Sequence, residues 1–197
     1  MIKGVVMLVQ ELFGETSGFG SREINTLKAK CTQFLHESAA LPLYKLLPKT
    51  YGDFHRVKVR QKNTAGKINE VFDRAFGTQF PNLRQRAIFA SGTKPNPSDD
   101  TNEAFYVFPV DGYKFLYSKE VTNSNSDYKQ VIDSLFEQFE DNNKAIEIVT
   151  DVLKYTYVCE NLVEGLVSDS EIILYGVPCY YAVRVAAVAP YGKLFPK

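Results

Sequence analysis

Three residues of this sequence combine reactive chemistry with a strand-end position: Glu171, Ser91 and Arg60. Glu171 begins the run EIILY, in which the aliphatic residues Ile172 to Leu174 show no polar alternation. Such a run predicts a strand covered on both faces, so a glutamate at its entrance is partly withdrawn from water. A carboxylate in that setting can stabilise developing positive charge. The alternative is a surface glutamate that merely begins a strand.

Ser91 ends the apolar segment RAIFAS, and Gly92 follows it where the polar interval SGTKPNPSDDTNE opens. Prolines and turn-forming residues make this interval, residues 91–103, a loop of about a dozen residues. Loops of that length are often functional, and a glycine lets a ligand come close to the main chain. The competing interpretation is a serine that only forms a turn.

Arg60 lies in FHRVKVRQKN, where strand alternation places Arg56, Lys58 and Arg60 on one face. The planar guanidinium of Arg60 can hold two phosphate oxygens at once, as lysine cannot. This cationic face indicates either an anion-binding platform or the solvent side of a half-exposed strand. A nuclease or RNA-binding function would rest on this face alone.

The sequence lacks the motifs of several other kinds of functional site. Neither a GxGxxG after a strand nor a Gly-rich GK[ST] occurs, which argues against nucleotide binding by those two routes. A histidine-based triad would depend on His36 or His55. Cys31, Cys159 and Cys179 are widely spaced and form no CxxC, which argues against a disulfide framework and a zinc site. We therefore expect no metal and a reducing, cytoplasmic location.

The whole chain predicts one globular domain. Its 197 residues carry 23 basic and 23 acidic side chains, so no global field attracts nucleic acid or an anionic membrane. The opening run MIKGVVMLVQELFG stops at Gln10 and Glu11 and is too short to span a bilayer. We interpret it as a buried first strand and not as a signal peptide or a membrane segment.

The hydrophobic pattern of the sequence predicts both helices and strands around these candidate residues. Helices are predicted to begin at Ser21, after Thr64, near Asp127 and near Asn143, the last running toward Leu166 with a break near Tyr157. The predicted strands are Val5–Val9, Arg56–Arg60, Ala87–Ser91, Ala104–Phe108, Lys114–Tyr117, Glu171–Tyr175 and Tyr180–Val188. Strand and helix come first and strands dominate later, which favours an α+β fold over a doubly wound sheet.

The order of arginine, serine, aromatic strand pair and glutamate resembles the mono-ADP-ribosyltransferases of the Arg-Ser-Glu type. The segments VRQKN, RAIFASG, FPVDGYKFLYS and SEIIL…CYYAV also resemble small tailed-phage proteins associated with that fold. The resemblance covers about residues 56–183 and implies a split, mostly antiparallel sheet flanked by helices. It divides the single domain, 1–197, into an N-terminal strand and helix region, 1–50, and a transferase-like core, 51–197.

The resemblance implies NAD as co-substrate and a host protein or RNA as acceptor, in the host cytoplasm if a phage encodes the chain. In that family the arginine holds the NAD phosphates, the serine supports the nicotinamide-ribose pocket, and the glutamate bonds a ribose hydroxyl. The glutamate also steadies the oxocarbenium-like carbon as nicotinamide leaves. These roles fall on Arg60, Ser91 and Glu171.

The sequence departs from the family pattern in two respects. Ala90 and Gly92 flank the serine where Ser-Thr-Ser is common, and Asp169 stands where enzymes that modify arginine carry Glu or Gln.

We also expect at least one aromatic ring of the neighbouring strands to stack on nicotinamide or adenine. The candidate rings are Phe89, Tyr106, Tyr113 and Tyr117.

A non-catalytic phage protein, either a host-factor inhibitor or a virion component, is the alternative function. Such a protein would keep the fold without turning over NAD, and Arg60, Ser91 and Glu171 would be structural. The two functions differ in whether these three side chains border one cleft.

Overall fold

The computed structural model describes residues 21–59, 66–139 and 142–187, which form an antiparallel sheet flanked by helices. The helices are α1 (Ser21–Lys30), α2 (Thr32–Glu37), α3 (Lys67–Phe76), α4 (Leu83–Arg86), α5 (Ser124–Gln138), α6 (Asn142–Thr156) and α7 (Leu162–Val167). The strands are β1 (Tyr44–Pro48), β2 (Phe54–Lys58), β3 (Ile88–Ser91), β4 (Asn102–Pro109), β5 (Lys114–Tyr117), β6 (Glu171–Tyr175) and β7 (Cys179–Arg184). The predicted α+β class and the antiparallel sheet are confirmed.

The seven strands lie in the order β2-β7-β4-β1-β3-β6-β5, and each pairing between them is antiparallel. The junction between β1 and β3 is narrow, with Tyr44 opposite Ser91 as its register pair. Next to this pair the Lys45 ammonium donates a hydrogen bond to the Phe89 carbonyl at 2.6 Å. The sheet is therefore divided at Ser91 into a four-stranded and a three-stranded part.

Both faces of the sheet are covered, as the three central residues of β6 demonstrate. Ile172, Ile173 and Leu174 each have 0% of their surface exposed. Ile172 and Leu174 belong to the core beneath α1, α2 and α7, whereas Ile173 belongs to the core beneath α3, α5 and α6. The prediction that EIILY forms a strand buried on both sides is confirmed, because successive side chains enter opposite layers.

The helix α5 begins where local hydrogen bonds satisfy its first amide groups. The Asn123 side chain accepts hydrogen bonds from the Asn125 and Ser126 amides, which is the arrangement of an N-cap residue. Asp127 then reaches back and accepts from the Thr122 and Asn123 amides, both at 2.9 Å. These bonds fix the first turn of α5.

The Asp127 hydrogen bonds predict a pH-dependent contribution to stability. The Asn123 amide, followed by the Ser126 hydroxyl and the Thr122 groups, holds the pKa of Asp127 below its usual value. Because the pKa is depressed in the folded state, this stabilisation is present above the unfolded pKa, about 3.9, and is lost as pH falls through the folded pKa. In urea unfolding at several pH values, Asp127→Asn should lose less stability on acidification than the wild type. Asp133→Asn, at an exposed position of α5, is the matched control. An equal loss of unfolding free energy on acidification in all three proteins would contradict the prediction.

Several elements differ from the sequence-based predictions. Strand β1 and helix α4 were not predicted, since YKLLP mixes a lysine and a proline with apolar residues and α4 is a single turn. Helix α5 begins at Ser124 and not near Asp127, because Asn123 supplies the cap. The break predicted near Tyr157 is confirmed. The predicted strand Val5–Val9 and residue Arg60 lie outside the described residues.

Two further observations concern the described residues only. Within these three ranges, no helix is long and apolar enough to cross a membrane. The same ranges contain no group of three or more histidine, cysteine, aspartate or glutamate side chains that could hold a metal ion.

Candidate active site

Ser91 and Glu171 lie directly opposite each other on neighbouring strands. They are register partners at the end of β3 and the start of β6, and both side chains are half-buried. Opposite residues of an antiparallel pair project from the same face, so the hydroxyl and the carboxylate share one side of the sheet. The antiparallel pairing thus brings together two predicted site residues that are 80 positions apart in sequence.

The Glu171 carboxylate is held by the first residue of α5. The Ser124 amide donates to Glu171 Oε1 at 3.2 Å, and the Ser124 hydroxyl donates to Oε2 at 2.7 Å. Ser124 has 0% of its surface exposed. The carboxylate therefore sits at a helix N-terminus, where unpaired amides and the helix dipole favour a negative charge.

Arg84 completes this arrangement from the other side of Ser124. Its Nη1 donates to Ser124 Oγ at 2.5 Å, and its Nε donates to Asn69 Oδ1 at 3.2 Å. The Ser124 hydroxyl accepts from the guanidinium and donates to the carboxylate, so it connects the two charges. Burial lowers the pKa of Arg84, and the nearby Glu171 charge acts in the opposite direction. We refer to Asn69, Arg84, Ser124 and Glu171 as the polar network.

Aromatic rings enclose the guanidinium of this network. Arg84 Cζ lies 4.9 Å from the centre of the Phe72 ring and 5.1 Å from that of Phe89. Tyr157 packs edge-on against Phe72 with the ring centres 5.7 Å apart. The Tyr157 hydroxyl is buried and has no hydrogen-bond partner among the described residues. Burial is the main cause that raises the pKa of the Tyr157 hydroxyl. The negative charge of Glu171 raises this pKa further, and the positive charge of Arg84 lowers it.

Ser91 itself forms a local turn with the loop that follows. Its Oγ accepts a hydrogen bond from the Thr93 amide at 3.1 Å, and the Thr93 hydroxyl donates to Asp169 Oδ1 at 2.5 Å. A Cβ atom on Gly92 would lie 1.8 Å from the Leu166 carbonyl oxygen. The close approach that Gly92 permits is therefore that of the α7 main chain, and the loop entrance is anchored to α7 and to the turn between α7 and β6.

The described part of the cationic face on β2 lies far along the sheet from Ser91. Strands β7, β4 and β1 stand between β2 and β3. On β2, Arg56 and Lys58 are exposed, and Arg56 Nε donates to Cys179 Sγ at 3.2 Å. Arg60 follows this strand outside the described residues, so its position relative to Ser91 and Glu171 stays a prediction.

Sequence reasoning missed the two cations that the structure does bring near Ser91 and Glu171. Lys45 lies at the sheet division beside β3, and Arg84 connects to Glu171 through Ser124. For Lys45, the available signal was the presence of a lysine within the otherwise apolar run of β1. Arg84 belongs to the RQR segment just before β3, which gives no sign that the first of its two arginines turns inward.

The four aromatic candidates occupy two kinds of position. Phe89 lies two residues before Ser91, on the same face of β3, and contacts the Arg84 guanidinium. The remaining three side chains are at most 6% exposed and fill the core. Tyr106 packs on Tyr44, with 5.1 Å between ring centres, and the Tyr113 hydroxyl donates to Glu37 at 2.6 Å. Of the four rings, Phe89 is therefore the one placed beside the polar network.

Comparisons with protein-family models, with curated proteins and with solved structures gave no match to this chain. The site's own geometry is therefore the basis for a functional interpretation. That geometry consists of a half-buried carboxylate at a helix N-terminus, a serine on the adjacent strand and a guanidinium between aromatic rings.

Proposed function

We propose that the protein is an NAD-dependent mono-ADP-ribosyltransferase that modifies a host protein or RNA, with Glu171 as its catalytic carboxylate. The observation that carries the proposal is the register pair of Ser91 and Glu171 beside the division of the sheet. In the Arg-Ser-Glu transferases that the sequence resembles, the corresponding serine and glutamate act on the same ribose. The proposal includes an ADP-ribosyltransferase-like fold for the divided antiparallel sheet.

The proposed chemistry uses the lone pairs of Glu171 that the polar network leaves open. A carboxylate has about four acceptor sites, and Ser124 occupies two of them through its amide and hydroxyl. The remaining sites accept a hydrogen bond from a ribose hydroxyl of NAD. As the bond between the ribose C1′ and the nicotinamide nitrogen breaks, its electron pair leaves with nicotinamide. The fixed negative charge of Glu171 then stabilises the positive C1′ until the acceptor's nucleophile bonds to it and releases a proton.

The other proposed roles follow from position. Ser91 would orient the same ribose from the neighbouring strand, and Phe89 would offer a ring face to nicotinamide. Arg60 is the proposed ligand of the NAD phosphates. Arg84 and Ser124 would act as positioning residues, because they keep the Glu171 carboxylate oriented without contacting NAD.

The second candidate is a non-catalytic protein in which the polar network is structural. One observation favours it: Ser124 already bonds both oxygens of the Glu171 carboxylate. Capping of α5 and balance of the Arg84 charge would then account for the presence of a glutamate at this strand entrance. This candidate requires neither NAD binding nor its turnover.

Nicotinamide release from labelled NAD distinguishes the two candidates. We expect the purified full chain to release nicotinamide, faster with a bacterial lysate as acceptor, and to be stabilised against thermal unfolding by NAD. Heat-denatured protein is the control for contaminating hydrolysis of NAD. Folded protein that neither binds NAD nor releases nicotinamide would contradict the transferase and favour the non-catalytic candidate.

A further inference from the structure

The outer edge of β5 has an incomplete hydrogen-bond ladder. β5 is the last strand in the sheet order, so its outer side faces away from β6. At one end of this edge, the Tyr117 amide donates to the Val158 carbonyl at 3.0 Å, and the Val158 amide donates to the Tyr117 carbonyl at 2.9 Å. At the other end, the Tyr113 carbonyl accepts a hydrogen bond from Gln33 Nε2 at 3.1 Å.

The position between these two ends belongs to Phe115. Main-chain groups of a strand point alternately to its two sides, so the Phe115 amide and carbonyl face the same outer side as those of Tyr117. Among the described residues, neither group of Phe115 has a main-chain partner on that side. One donor and one acceptor of an extended strand are therefore open between two positions that are paired.

The chain's own segment does not continue the strand pairing to this position. Continuation of the antiparallel pairing from Val158 would place Glu160 opposite Phe115. Instead, Glu160 lies in a bend, Asn161 adopts a left-handed conformation with φ of 55°, and α7 begins at Leu162. Val158 thus forms the first residue pair of an added strand with Tyr117, and the next pair, opposite Phe115, is missing.

A groove opens along the same edge, with a volume of about 640 Å³. It extends from Gln33 to Cys159, and the edge of β5 at Phe115 is part of its lining. The Phe80 ring lies beneath this lining with only 3% of its surface exposed, and the Lys114 ammonium lies 5.7 Å from the centre of that ring. The groove combines the open main-chain groups of Phe115 with the exposed positive charge of Lys114.

We propose that this edge binds an extended, acidic peptide segment of a partner protein by strand addition. The open amide and carbonyl of Phe115 pair with the peptide main chain, which gives affinity without fixing the sequence. A carboxylate side chain of the peptide pairs with Lys114. Because no step involves Glu171 or NAD, this interaction stands independently of the proposed transferase activity.

Peptide arrays test this strand addition with the intact protein. The probes are synthetic peptides with strand-forming residues at alternate positions and every residue type sampled between them. We expect the bound peptides to be enriched in aspartate or glutamate, and Lys114→Gln to weaken their binding. For a selected peptide, N-methylation of the paired amide should weaken binding roughly tenfold, since it removes one main-chain hydrogen bond, whereas methylation of the next amide should not.

Two variants at Phe115 separate its amide from its ring. Phe115→Pro removes the outward donor, and Phe115→Ala removes the ring but keeps the amide; proline is tolerated on an edge strand when the lost amide faced outward. Selected peptides should bind the alanine variant more tightly than the proline variant, and peptide addition should slow hydrogen exchange of the Phe115 amide in the wild type. The proposal is overturned if no array peptide binds, if both N-methyl peptides bind equally, or if Phe115 exchange is unchanged. The last two readouts use wild-type protein, so they decide the question even if the proline variant fails to fold.

Discussion

Glu171→Gln is expected to slow nicotinamide release by roughly a hundredfold or more, the scale on which one preorganised electrostatic group affects a transition state. The amide keeps the shape of the side chain but removes the negative charge that would stabilise the positive C1′ of ribose. Affinity for NAD should change little, because the lost interaction develops mainly in the transition state. Single-turnover cleavage of NAD, with enzyme in excess over substrate, measures the chemical step directly.

Asp169→Asn is the matched control for this experiment. Asp169 is an exposed carboxylate two residues before Glu171, and it accepts a hydrogen bond from Thr93 and not from the polar network. Its loss should leave the cleavage rate within about a factor of two, which corresponds to less than about 0.5 kcal/mol. Both variants must be compared at equal folded fraction, since Glu171 also accepts two hydrogen bonds from Ser124. Equal rates in wild type and Glu171→Gln would remove the catalytic role from Glu171 and the transferase assignment with it.

The strands that carry the candidate site could be predicted from the sequence because their patterns are local. EIILY and KFLY give β6 and β5 with the predicted bounds, since an apolar or aromatic run is flanked by turn residues on both sides. The end of β3 at Ser91 was predicted for the same reason, because a glycine and a polar loop follow it. Ser91 and Glu171 were expected to border one cleft, from their strand-end positions and the family resemblance, and the strand register places them opposite each other.

The polar network around Glu171 could not be predicted, because each of its contacts joins separate segments of the chain. Ser124 reads locally as one of several polar residues in VTNSNSD, and its burial depends on how α5 docks against β6. Arg84 lies in a helix of four residues that has no periodicity to detect. Asn69 gave no signal either, because a polar residue in a helix normally faces solvent. Only the tertiary arrangement makes these residues partners of one carboxylate.

Arg84→Met is expected to lower the free energy of unfolding by roughly 3 kcal/mol. The methionine occupies similar space between Phe72 and Phe89, so the packing loss is small. The larger effect is electrostatic: Asn69 and Ser124 lose a donor, and the half-buried Glu171 carboxylate loses the nearby positive charge. Urea unfolding at neutral pH measures the change. Arg86→Met, at an exposed position two residues further on, is the control and should shift stability by less than about 0.5 kcal/mol.

The double variant Arg84→Met with Glu171→Gln decides why the chain retains this pair of charges. Neutralising both partners removes the uncompensated carboxylate, so most of the stability lost in Arg84→Met should return. An unfolding free energy for Arg84→Met equal to that of wild type would contradict the coupling. If the double variant is as stable as wild type but has lost NAD cleavage, the charge of Glu171 serves the reaction and not the fold. If the wild type does not cleave NAD and the double variant stays destabilised, the network is structural, and the carboxylate at the entrance of β6 is explained by capping α5 and balancing Arg84.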